Sequence, residues 1–187
     1  MRSWTRLAVA GCLAVPVATG CATQFSAKAV RSEIVRQTGE DPQKAFELNL
    51  GRVTMALARQ VLAGSTTSSE DTLPLAGLAS FELAVYGLPE AALSGARPLD
   101  FTAMPVRGWE PTVRVRNGAR SGVVLVRAAG ENIGDLVLLA AGEKNALYAR
   151  LRGTLSRELP AALGEAVKTG GTDAVQHELQ SIAEPSK

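Results

Sequence analysis

From Thr112 onward, hydrophobic and polar positions come in short runs, TVRVR, GVVLVRA, GDLVLLAA and ALYARLR, separated by NGARS, AGENI and GEKN. Such short runs between turn residues mark strands, and Asn117-Gly118 is a strong turn signal because both residues tolerate positive φ. Connections this short force neighbouring strands antiparallel, so the four strands form a meander. Upstream, FELAVYGL sets Phe81, Leu83 and Val85 against Glu82, Ala84 and Tyr86 and adds a fifth strand.

Two stretches carry the helical period instead. Asp41-Pro42 has the form of a helix start, with Asp as N-cap and Pro at the first helical position. Phe46, Leu50, Val53, Leu57 and Val61 then recur at spacings of three and four up to a stop at Gly64. A closing helix covers Arg157 to Lys168, with Leu159, Ala162, Leu163, Ala166 and Val167 on one side and Gly170-Gly171 after it. The segment between Pro89 and Trp109 is rich in Pro and Gly and reads as irregular, with a short helical turn over Pro89 to Ser94. The expected fold is α+β, an antiparallel β-meander of about five strands with an N-terminal and a C-terminal helix packed on one face.

The other face of that sheet is the most informative feature. If Val113 and Val115 point to the helices, Arg114 and Arg116 point away, and if Leu147, Ala149 and Leu151 point in, Tyr148, Arg150 and Arg152 point out. The middle strands VVLV and LVLLAA are apolar on both faces, so residues such as Leu125 lie opposite the helices. Such aliphatics are either stray positions on a solvated sheet, or are covered by the loop around Trp109, or form the apolar centre of a partner-binding face rimmed by arginines. Under the last reading, Leu125→Glu abolishes capture of a partner and leaves the melt nearly unchanged.

The N-terminus changes the meaning of the composition. Arg2 and Arg6 precede an apolar run of about eleven residues, Leu7 to Val17, which is the layout of a secretory signal. It is too short to span a bilayer, which takes roughly 20 apolar residues. Ala18, Thr19 and Gly20 then lead directly into Cys21 and resemble the lipobox of bacterial lipoproteins. That resemblance implies a diacylglycerol thioether on Cys21, cleavage before it and membrane attachment through lipid. Two or three acyl chains hold a protein at a membrane far more firmly than one. The alternative is an ordinary cleaved signal with Cys21 left as a free thiol. Cys12 lies too close to Arg6 to serve as the lipidated cysteine. By the same resemblance Ala22, in place of an aspartate, favours the outer membrane, with the domain facing the periplasm. The chain then divides into a signal peptide (1–20), a tether (21–40), one domain (41–169) and a weakly ordered tail (170–187).

The whole chain carries 20 Lys and Arg against 18 Asp and Glu. Loss of residues 1–20 removes Arg2 and Arg6 and no acid, leaving 18 of each. A neutral exported chain lacks the footprint of a nucleic-acid binder. With Cys12 removed and Cys21 modified, neither a disulfide nor a thiolate metal site is available.

Little in the sequence points to catalysis. His177, the sole histidine, falls in the tail, where Ser-His chemistry would rest on the least ordered segment. The acids are scattered among loops, hairpin turns and helix surfaces, and Gly118, Gly130 and Gly142 punctuate hairpins and build no phosphate loop. Trp109 reads as a core or sheet-edge anchor. No enzyme and no cofactor are expected.

The strand FELAVYGL, the segment MPVRGWEPTVRVRN, the hairpins from SGVVLVRA to ALYARLRG and the closing TLSRELPAAL, behind a lipobox, resemble bacterial lipoproteins of the domain of unknown function 4252 family over roughly residues 40 to 168. The pieces that carry the resemblance are Gly108-Trp109-Glu110, Ile133-Gly134 and Gly153. It implies an α+β envelope domain without a catalytic motif and a link to extracytoplasmic sigma-factor regulation. The expected function is a lipid-anchored, non-catalytic interaction domain whose partner is an envelope protein or an amphiphile. The competing expectation is a carrier or chaperone of an amphiphile held between helices and sheet.

Overall fold

The computed structural model describes residues 23–56, 77–95, 98–118 and 120–169. Six antiparallel strands form one sheet: β1 (Gln43–Leu50), β2 (Leu78–Gly87), β3 (Glu110–Asn117), β4 (Arg120–Ala129), β5 (Asn132–Ala141) and β6 (Asn145–Leu155), in the order β1-β2-β6-β5-β4-β3. The protein is α+β, and β3 to β6 are the expected meander. Its hairpins close where the turn residues stand, with Asn117 opposite Arg120, Ala129 opposite Asn132 and Ala141 opposite Ala146. Gly118 and Gly130 supply the positive φ that two of these turns require.

Both faces of the sheet are covered. On one, Phe81, Leu83, Leu136, Leu138, Leu147 and Ala149 pack with Leu163 and Val167 of the helix at 159–169 and with Met55 of the helical segment 52–56. On the other, Leu125, Val137, Leu139 and Tyr148 pack beneath α1 (Ala27–Thr38) and the segment 98–109. The strand parity expected from alternation holds, and the arrangement is three layers deep.

Two expectations are corrected here. The helix expected from Asp41 begins as strand β1 and turns helical only at 52–56, while its continuation to Gly64 lies outside the described residues. Phe46, Leu48 and Leu50 share one face of β1 by strand alternation; Leu48 and Leu50 pack against the core, whereas Phe46 is 46% exposed. The expected tether at 21–40 is largely structured. Ser26 caps α1 by accepting from the Ala29 N–H, Gly39 closes it at φ 81°, and Val30 and Ile34 are fully buried against the sheet. The tail at 170–187, with His177, lies outside the described residues, as does Cys21.

Candidate functional site

The expected partner-binding face divides into two parts. Leu125 and Tyr148 have no exposure at all, which overturns the expectation that they form a free apolar centre. The covering layer comes from the chain itself, and the rim arginines hold it in place. Arg114 donates to the Thr102 carbonyl at 2.9 Å, and Arg116 pairs with Asp100 at 2.9 Å. Ser121 adds a bond from its hydroxyl to the Leu99 carbonyl, and Gln37 of α1 exchanges two hydrogen bonds with the backbone of Asp100. Placed two residues apart, the arginines of β3 point to one face and meet the first segment that crosses it.

Strand β6 carries the rest. Tyr148, Arg150 and Arg152 share its face, and Asp135 on β5 sits directly opposite Arg152 in register. The Asp135 carboxylate accepts both Nε and Nη2 of Arg150, at 2.9 and 2.5 Å, while Arg152 approaches it only to 3.8 Å. Burial disfavours the Arg150 charge, but the paired Asp135 outweighs it and raises the guanidinium above its ordinary pKa. The third arm of Arg150 donates to the Phe25 carbonyl at 2.7 Å.

Glu82 on β2 ties this row to α1. One carboxylate oxygen accepts from the Ala27 N–H at 3.2 Å and the other from the Tyr148 hydroxyl at 3.0 Å, so the carboxylate caps the positive end of the helix. Tyr86, four residues further along the same face of β2, donates to the Ala27 carbonyl at 2.7 Å. Burial is the main reason the pKa of both phenols is raised, Tyr86 to about 12 and Tyr148 further.

Beside this network an open cleft of about 240 Å³ lies at the end of β1, lined by Asn49, Arg52, Ser80, Glu82, Arg150 and Arg152. Arg150 and Glu82 are already committed to internal partners. Arg52 and Arg152 are exposed and keep guanidinium donors without a partner among the described residues. The cleft therefore presents Arg52, without a partner among the described residues, and Arg152, held only loosely by the Asp135 that Arg150 already occupies, a combination suited to a carboxylate or phosphate oxygen. The described residues contain no histidine or cysteine, and no three Asp or Glu among them gather as a metal set.

Of the expected site residues, the structure brings Tyr148, Arg150 and Arg152 together, leaves Arg114 and Arg116 at the far edge, and buries Leu125. Arg52, Glu82 and Asp135 were not singled out in the sequence. Asp135 carried a signal, being a carboxylate at the start of an apolar strand whose neighbours face a buried layer.

The segment before α1 is fixed as well. Thr23 donates its N–H to the Arg107 carbonyl at 2.8 Å, and its own carbonyl accepts from Trp109 Nε1 at 2.7 Å. Phe25 is 1% exposed and meets the Trp109 ring edge-on at 5.4 Å. Arg127 lies over the indole at 4.4 Å. Trp109 is thus the core anchor it was expected to be. The chain matches no protein-family model, no curated protein and no solved structure.

Proposed function

We propose that this is a lipid-anchored envelope protein, attached through Cys21 and facing the periplasm from the outer membrane. Its domain acts as a non-catalytic interaction module that takes an acidic group of an envelope protein partner between Arg52 and Arg152. The observation that carries the binding site is the contrast inside the cleft: Arg150 and Glu82 are fully engaged, whereas Arg52 has no acid among the described residues and Arg152 only a 3.8 Å approach to Asp135, a carboxylate already paired with Arg150. The lipobox-like run before Cys21 supports the anchor, and the resemblance to the domain of unknown function 4252 lipoproteins supports a place in envelope-stress signalling. The carrier reading has less behind it, because the space between α1 and the sheet is filled by Phe25, Ile34, Tyr86, Phe101 and Tyr148, each at most 1% exposed.

The test is a photo-crosslinker at Asn49 in the full-length protein in cells, compared with the same protein carrying Arg52→Glu and Arg152→Glu. The expected result is a discrete protein adduct that the charge reversals abolish while the melting temperature is kept. Identical adducts in both proteins refute the cleft as the site, and lipid recovered in stoichiometric amount from the purified protein replaces this reading with the carrier.

A further inference from the structure

The segment expected to be a tether ends in a clasp. From Thr23 to Ala27 the backbone is held by Arg107, Trp109, Arg150, Glu82 and Tyr86, with hydrogen bonds of 2.7 to 3.2 Å and the Phe25 ring buried between them. A chain fixed at Thr23 has two Cα steps left to reach Cys21, at most about 7 Å whatever path it takes. The headgroup layer on one side of a bilayer is itself roughly 5–7 Å deep. A lipid on Cys21 therefore cannot anchor the domain at a distance, and the protein surface around Thr23 must meet the headgroups. That surface carries Arg107, whose carbonyl accepts from the Thr23 N–H, and Arg127, which lies over the Trp109 ring; both are exposed and neither has a carboxylate partner among the described residues.

We infer that the patch formed by Thr23, Arg107 and Arg127 is a membrane-apposed surface, whose partner is the phosphate-bearing headgroup layer, and that the domain rides flush on the bilayer. This inference rests on the lipidation of Cys21 proposed above. Arginine pairs readily with phosphate oxygens, and cations near an anionic surface add to the hold of an acyl anchor.

The mature chain offers a built-in probe. Of its two tryptophans, Trp4 belongs to the signal and Trp109 to the clasp, so the processed protein has a single indole at the proposed surface. Lipidated full-length protein, purified from membranes, is reconstituted into phosphatidylglycerol–phosphatidylcholine vesicles carrying a headgroup nitroxide. A second protein carries a Gly-Ser insert of about twenty residues between Ala22 and Thr23, long enough to lift the domain by roughly 25 Å. Strong quenching of Trp109 in the wild type that falls several-fold in the insertion variant is the expected result. Equal quenching in the two proteins, or a wild-type protein that floats with the vesicles, bears acylated Cys21 by mass spectrometry and yet stays unquenched, overturns flush docking and leaves the anchor standing. A protein that neither floats nor carries lipid on Cys21 overturns the anchor and this inference together.

Discussion

Arg150 donates to the carbonyl oxygen of Phe25 at 2.7 Å across 125 positions of sequence, and so joins the last strand of the sheet to the first described residues of the chain. The same guanidinium is held in a bidentate pair by Asp135, and the two side chains are 12% and 13% exposed.

Arg150→Ala leaves Asp135 without its main partner in a mostly dry site, and Asp135→Ala does the same to Arg150. Each is expected to cost about 3 kcal/mol, read from chemical denaturation. Arg150→Lys keeps the charge but loses the fork, and should fall between wild type and alanine. In all three, hydrogen exchange at the amides of Thr23 and Ala27 should rise more than the global loss of stability explains, because the clasp opens first.

Leu125 lies under α1 and the 98–109 segment with no exposure. Leu125→Ala is expected to cost about 2–5 kcal/mol. Leu125→Glu should prevent folding, by circular dichroism, where a free sheet face would have tolerated it.

Alkaline stability follows from the tyrosines, both of which are buried. The pKa of Tyr86 is raised from 10 to about 12 by burial, with the Glu47 carboxylate adding to it, and that of Tyr148 is raised by burial and by Glu82. A raised folded-state value means the stabilisation is complete below pH 10, where the unfolded phenol is still protonated, and declines as pH rises towards 12. Tyr86 alone accounts for about 2–3 kcal/mol over that window. Tyrosinate absorbance should stay flat past pH 10 and then rise together with unfolding. In Tyr86→Phe the stability slope should be shallower.

Gly153 sits at φ 151°, and a Cβ there would lie 1.9 Å from the Gly77 carbonyl oxygen, where β6 and the start of β2 come together. Gly153→Ala must push two backbones apart, with an expected loss of about 3 kcal/mol or more in thermal unfolding. Gly95→Ala is a control for positive φ alone, since that position is open.

The hairpins were legible because turn chemistry and strand alternation agreed at each one. The stretch 43–50 misled because Phe46 and Leu50 are four apart, a spacing that fits a helical stripe and an alternating strand equally well. Leu48 was the residue that distinguished them, and it faces the core. The packing of α1 on the sheet was not legible within the expected tether because only Val30 and Ile34 are large and apolar on its buried side. Without that packing, the sheet lacked a second cover, and the apolar outer positions of β4 and β5 were open to reading as a binding surface. Runs apolar on both faces ordinarily mean burial on both. The arginine cleft was legible only in part: Arg150 and Arg152 follow from alternation on β6, whereas Arg52 joins them through a pairing of distant strands that no local pattern carries.

Strand β6, the last to be synthesised, lies between β2 and β5 and is hydrogen-bonded to both. Until residues 145–155 have emerged, β1-β2 and β3-β4-β5 are separate half-sheets, each with a raw edge where β6 belongs. The clasp on Phe25 also waits for Arg150, so the two ends of the domain become native together. A chain wired this way cannot close its sheet until its final strand is made, so its two halves become one domain in a single late step.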